Sequence, residues 1–240
     1  MEAKKLEFPQ KERYTIEDLL EITKILRSEN GCPWDREQDH HSIRREFLEE
    51  AYEAVEAIDT DNPVLLREEL GDVLFQVVFH AQIEAEKGSF DFADVVHDVT
   101  KKMVVRHPHV FGDVHAQNAD EALQSWDAVK MTLKDQKTPA EVLRSITPAM
   151  PALMRTEKIL KKAEKAGASG SEQDDLETAG KALSNLADKD CQKEEHLIGE
   201  LLLAVTDLAR RRGIHAEDAL AKAASQYIDS FEAAYSADTQ

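Results

Sequence analysis

Five carboxylates fall into two short clusters whose spacing could hold a cation: Glu49, Glu50 and Glu53, then Glu69 and Asp72. Glu50 and Glu53 stand three residues apart, as do Glu69 and Asp72, so on helices each pair projects from one face. A tight turn centred near Asp61 joins the two segments and makes them antiparallel. Counting outward from that centre, Glu53 meets Glu69 and Glu50 meets Asp72, roughly 12 to 16 Å from the turn at ~1.5 Å per residue. Four carboxylates facing one another repel, and a hard divalent cation with oxygen ligands resolves the repulsion. Asp72 lies within the apolar run LGDVLFQVVFHAQI, where a bare carboxylate is costly unless it is paired or bound to metal. Glu68, about 100° round the helix from Glu69, reads as a solvated residue. The competing reading makes Glu46, Glu49, Glu50, Glu53 and Glu56 one solvated face, with Leu48, Ala51, Val55 and Ile58 as the apolar stripe. The setting of Asp72 and the level pairing argue against it.

The elements that must carry these residues are helical. The chain has 240 residues, 42% of them hydrophobic, 32% charged and 6% aromatic, with only nine Gly and seven Pro. Apolar residues recur at helical spacing almost throughout, and no alternating strand pattern is found. A first helix is expected from Thr15, with Asp18 completing a capping box, until Asn30-Gly31 stops it. After the loop GCPWDREQDHH a second helix, capped by Ser42, runs to about Asp59. Asn62-Pro63 opens a third that lasts to Gly88, a fourth spans about Phe92 to Arg106, and a fifth starts at Asn118. The proline-rich stretch 134–151 reads as a linker, dividing the chain into units 1–136 and 137–240. Further helices are expected near 152–166, 175–187, 193–212 and 216–235. Gly71-Asp72-Val73-Leu74-Phe75 is echoed by Gly199-Glu200-Leu201-Leu202-Leu203, so two related four-helix units form an all-α protein.

Charge and composition exclude several classes. A net charge of −18 opposes general nucleic-acid binding, which needs a basic surface, yet permits a triphosphate if divalent cations intervene. Cys32 and Cys191 form no metal or disulfide pattern. No apolar stretch is long enough to span a membrane, and the chain reads as cytoplasmic. No Walker A glycine loop is present.

Glu49-Glu50-Ala51-Tyr52-Glu53 followed by Glu69-Leu70-Gly71-Asp72 resembles the EExxE…ExxD signature of the MazG nucleoside triphosphate pyrophosphohydrolases. Gly31-Cys32-Pro33-Trp34-Asp35, Arg106-His107-Pro108-His109-Val110-Phe111 and the run from Pro151 to Arg155 are similar to that family too. The resemblance covers about residues 15–235, strongly in the first half and weakly in the second. It implies an all-α homodimer that cleaves a nucleoside triphosphate between its α- and β-phosphates, giving a monophosphate and pyrophosphate. It implies Mg²⁺, with Mn²⁺ as a substitute, held by Glu50, Glu53, Glu69 and Asp72, while Glu49 helps to hold a second ion or orients the attacking water. It also implies nucleotide binding by Lys102, Arg106, Trp126 and Lys130. The chemistry suits those residues: cations neutralise a triphosphate, and Trp126 can stack on a base one turn from Lys130.

The second repeat departs from this pattern. Leu197 and Glu200 stand where the first unit has Glu69 and Asp72, and no EExxE precedes them at a usable spacing. The first unit is therefore expected to do the chemistry, and the second to serve packing, dimerisation or regulation. His107 and His109 read as helix-terminating. His97-Asp98 lacks the partners of an HD phosphohydrolase, and Glu37 to His40 is a lone ExxH in a loop. Trp34 and Gln38 either border the base pocket or pack a turn, and Arg210-Arg211-Arg212 complements a helix C-terminus. The rival function is a non-catalytic acidic helical module that binds a protein partner or regulates one.

Overall fold

The computed structural model describes residues 8–133, 138–187 and 193–238, and every regular element among them is a helix. Residues 134–137 of the expected linker, and Cys191, lie outside the described residues. No helix among the described residues is long and apolar enough to cross a membrane. The chain divides into two compact units, Met1–Val129 and Lys130–Gln240.

In the first unit, α1 (Ile16–Arg27) is followed by the short α2 (Pro33–Glu37), then α3 (Arg44–Asp59), α4 (Pro63–Lys87), α5 (Phe92–Arg106), the single turn α6 (Pro108–Phe111) and α7 (Ala119–Leu133). Local chemistry sets most of these limits. Thr15 and Asp18 form the capping box of α1, and Asn62 Oδ1 accepts from the Leu65 N–H at 3.2 Å ahead of Pro63. Asp61 turns the chain between α3 and α4 with a φ of 49°, a left-handed conformation that Asp tolerates. Gly31 is required by close approach, because a Cβ there would meet the Ile25 carbonyl oxygen at 2.2 Å. Ser42, expected to cap α3, is instead drawn into a turn on Asp39, whose Oδ1 accepts from the His41 and Ser42 N–H groups at 2.8 Å each. The helix begins later, behind Ile43.

The antiparallel pair α3 and α4 is the frame, with α1 and α5 packed on α4. Its far end is closed by Ile43, Phe79 and Ile83, with Phe75 against them. Burying a side chain such as Phe79 contributes roughly 1.5–3 kcal/mol. The face that α3 turns inward is not the apolar stripe of the competing reading. Ala54 and Ala57 are buried, while Leu48, Val55 and Ile58 are 46%, 50% and 56% exposed. Interaxial distance follows the size of the residues at the contact. The small alanines admit α4 closely and bring the acidic side of α3 between the helices.

The second unit holds α8 (Pro139–Arg144), α9 (Ala152–Lys165), α10 (Glu172–Leu186), α11 (Glu194–Arg211) and α12 (Ala216–Asp238). Here α10 and α11 form the pair, α9 packs on α11, and α12 on α9 and α11. Buried positions correspond between the units: Ala54 with Ala182, Glu69 with Leu197, and Gln76 with Ala204. The second pair thus keeps the packing at these positions and has apolar residues in place of Glu69 and Gln76. Phe47 and Phe79 match Asp175 and Asp207. There Arg211 bonds both carboxylates at 3.0 Å, and Arg210 reaches Asp207 and Glu164 at 2.6 Å each. The arginine run is therefore an ion-pair network joining α9, α10 and α11, rather than a simple complement to a helix end.

Candidate active site

The carboxylates of α3 and α4 converge. One oxygen from each of Glu50, Glu69 and Asp72 lies within 4.8 Å of the other two. Glu69 is 8% exposed. Burial raises its pKa first, followed by the charges of Glu53 and Asp72 and a hydrogen bond with Glu53. Glu50, half-buried, is raised likewise by burial and then by Asp72, Glu53 and Glu69. Glu53 therefore adjoins both, at the exposed rim.

Asp72 does not occupy the buried setting expected of it; it is exposed, and Glu69 is the buried member. At about 100° per residue, Glu69 and Gln76 share the centre of the inward face of α4, and Asp72 falls about 60° to one side. The neighbouring Leu70 and Leu74 are 53% and 40% exposed, so the apolar run is not uniformly inside. Glu49 is exposed and outside the converging group of three.

Two further polar atoms, on the same faces of α3 and α4 one turn from the cluster, were not singled out as functional by the sequence reading. Glu46 Oε2 and Gln76 Oε1 are buried without a hydrogen-bond partner. The signal was present in the spacing, since Glu46 precedes Glu50 by one turn and Gln76 follows Asp72 by one turn. These orphaned oxygens and the mutually repelling carboxylates fit a hard divalent cation with its water shell. Glu50, Glu69 and Asp72 could hold such an ion, with Glu53 in reach.

The basic and aromatic residues form a second group. The Arg106 guanidinium lies over the Trp126 ring, 5.3 Å from its centroid, within cation–π range. The His107 ring meets the Trp126 ring edge-on at 4.7 Å, and His107 Nδ1 lies 2.6 Å from the Met103 carbonyl oxygen. Arg106 Nε is buried without a partner. Lys102 is exposed on α5, one turn before Arg106, and the Lys130 side chain lies outside the described residues.

The loop before α3 is fastened to α4 at two points. Arg27 makes two 2.9 Å bonds to Glu86 and donates to the carbonyl oxygens of Asp35 and Gln38 at 2.5 and 3.1 Å. Its guanidinium also lies 5.0 Å from the Phe79 ring centre. His40 meets His80 Nδ1 to Nδ1 at 2.7 Å and Glu84 through Nε2 at 2.6 Å. Glu84 also binds Lys87 and Ser89. The Lys87, Ser89 and His40 bonds together hold its pKa down to about 2. Trp34, on the short α2 within this fastened segment, is 58% exposed.

Comparison with known proteins places this geometry. A family model described as the MazG nucleotide pyrophosphohydrolase domain matches residues 38–111, the span containing the carboxylate cluster and Arg106. The chain is 37% identical over 219 residues to the nucleoside triphosphate pyrophosphohydrolase/pyrophosphatase MazG of Thermotoga maritima, covering 90% of this chain and 84% of that protein. It is 40% identical over 230 residues to a nucleoside triphosphate pyrophosphohydrolase of Escherichia coli K12, covering 90% and 85%. A nucleoside triphosphate pyrophosphohydrolase of Mycobacterium tuberculosis is 37% identical over 137 residues, covering 56% and 41%.

Proposed function

This chain belongs to the MazG family of nucleotide pyrophosphohydrolases, and on that footing we propose that it hydrolyses nucleoside triphosphates between the α- and β-phosphates in its first unit. The observation that carries this reading is the meeting of Glu50, Glu69 and Asp72 within 4.8 Å across two antiparallel helices.

Glu50, Glu69 and Asp72, with Glu53 at the rim, are the residues that would hold Mg²⁺ or, in its place, Mn²⁺. Such an ion supplies charge neutralisation, polarisation of phosphoryl oxygens and stabilisation of the departing pyrophosphate. Glu49, exposed one turn before Glu53, is assigned to the mouth of the site, where it orients water or helps to hold a second ion. Lys102 and Arg106 meet the phosphates, and Trp126, with Lys130 one turn on, meets the nucleoside. The Arg106–Trp126 contact gives that side a stacking face and a charge together.

The reading extends to organisation. By sequence we place the unit boundary at 136/137, a little beyond the division of the fold after Val129, with the second unit structural or regulatory. The exposed residues Leu48, Tyr52, Val55 and Leu74 on α3 and α4 suit burial against a second copy, giving a homodimer. We further propose that it works in the cytoplasm on a nucleotide substrate, without nucleic acid or membrane as partner, a reading that the net charge of −18 supports.

The test is ³¹P NMR of a nucleoside triphosphate incubated with the protein and Mg²⁺. Pyrophosphate and monophosphate are expected, and are lost with EDTA or with Glu53→Gln. Orthophosphate as the first product would contradict the reading.

A further inference from the structure

Glu46 Oε2 and Gln76 Oε1 have no hydrogen-bond partner, though both atoms are shielded from solvent and Gln76 is only 9% exposed. An orphaned buried acceptor is costly, and native proteins satisfy nearly all of them. The register puts these two at one level of the helix pair. Counted outward from the Asp61 turn, Glu53 is level with Glu69, Glu50 with Asp72, and Glu46 with Gln76. The third pair lies one helical turn, ~6 Å, beyond the second. At about 100° per residue, Glu46 falls between Glu50 and Glu53 round α3, and Gln76 between Glu69 and Asp72 round α4. Both orphans therefore stand on the stripes that carry the carboxylates. Beyond them the pair is closed by Ile43 and Phe79, both 3% exposed.

Both atoms are acceptors, so neither can satisfy the other while Glu46 is ionised. Whatever joins them must donate twice and be small enough for a gap between packed helices. Water meets both conditions. With both hydrogens engaged, its lone pairs are left to face the adjoining layer of Glu50 and Asp72, where a cation and the phosphate would lie.

We propose that Glu46 and Gln76 are positioning residues that hold one water at the closed end of the carboxylate cluster, with its lone pairs directed at the reacting phosphate. This rests on the proposed reaction. In the step, the water oxygen forms the new bond to phosphorus, the bond to the departing pyrophosphate breaks, and the released proton passes to Glu46. Leu48, Tyr52 and the other outward residues of α3 take no part.

Three proteins test this: Glu46→Gln, Gln76→Met, which keeps length without an acceptor, and the double variant, each checked for helical content. With Mn²⁺ as the probe, calorimetry is expected to give unchanged ion affinity and stoichiometry for the single variants. Meanwhile kcat falls about 10- to 100-fold at unchanged KM. Loss of an ion or of affinity would make the two residues ligands, and a rise in KM alone would make them substrate contacts; either overturns the proposal, as does unchanged turnover. A readout without turnover is the double-mutant cycle in urea. Two residues sharing one water should be non-additive by at least about threefold in the folding constant, and additive effects overturn the shared site. If the unsubstituted protein releases no pyrophosphate, the reaction fails, while the cycle still decides the water site.

Discussion

His40 Nδ1 lies 2.7 Å from His80 Nδ1, a separation that requires one hydrogen, and only one, between the two nitrogens. Glu84, ionised, takes the other ring N–H of His40 at 2.6 Å. With His40 uncharged, the two contacts are met by the Nδ1–H tautomer of His80 and the Nε2–H tautomer of His40. Burial, then the His40 ring, depresses the His80 pKa. The folded state therefore binds fewer protons than the unfolded one just below the usual histidine value of about 6.5. The contribution is complete above that pH and declines as pH falls towards the folded pKa. In urea denaturation between pH 8 and 5, the native chain should lose more stability than His80→Asn, whose amide keeps the bond without titrating. Equal losses would remove the latch.

Glu84 adds a second, lower window. Its folded pKa of about 2 lies below the unfolded value, so its stabilisation is present above about 4.5 and is lost as pH falls through about 2. Glu84→Gln should flatten that acid limb of the stability curve while leaving the region above pH 6 nearly parallel.

Arg27 joins α1, the loop before α3, and α4. Its side chain is 5% exposed and that of Glu86 36%, so removing the arginine leaves two carbonyls and a carboxylate without their donor. Arg27→Ala should cost about 3 kcal/mol. Glu86→Gln should cost less, because the more exposed partner is rehydrated readily. Equal small losses would show that the clamp contributes little.

Divalent cation should stabilise the chain in a pH-dependent way. The pKa values of Glu50 and Glu69 are raised by burial and then by neighbouring carboxylates. The ion-free fold therefore retains protons longer than the unfolded chain, and these groups destabilise it as pH rises above about 4.5. Mg²⁺ at a hundredfold excess over its dissociation constant adds about 2.7 kcal/mol. The rise in Tm should be large at pH 7.5 and small at pH 5; a rise independent of pH would place the ion elsewhere.

Much of the fold was legible because its punctuation is local. Thr15 with Asp18, Asn62 before Pro63, and Gly88 after Lys87 set helix limits without reference to anything distant. The face of α3 was not legible. An amphipathic reading favours the bulky Leu48, Val55 and Ile58 for the interior, whereas the pair closes on Ala54 and Ala57 and leaves the larger side chains exposed.

The candidate site divides in the same manner. Counting from the turn brought Glu50, Glu69 and Asp72 to one place, because antiparallel register is arithmetic once a tight turn is given. It misjudged which acid is buried, since Glu69 rather than Asp72 sits at the centre of the inward face. The His40–His80–Glu84 chain and the Arg27 clamp connect segments far apart in sequence and carry no spacing signal. Neither is visible before the helices are assembled.

The two units should differ completely in their bearing on turnover. Leu197 takes the buried place of Glu69, and Glu200 is the one acid retained, at the repeat position corresponding to Asp72. Glu200→Ala should leave pyrophosphate release within about twofold, since it removes a half-exposed group whose ion pair is with His196 on its own helix, while Glu53→Ala should abolish it. The reverse pattern would move the active site to the second unit.

The central claim is that Glu50, Glu69 and Asp72 form the cation site for the reaction, and the most direct measurement is Mn²⁺ binding and pyrophosphate release followed together in Glu69→Gln. The account predicts that both fall, by at least about tenfold each, with the helical fold retained. Full pyrophosphate release with normal Mn²⁺ affinity in that variant would contradict it.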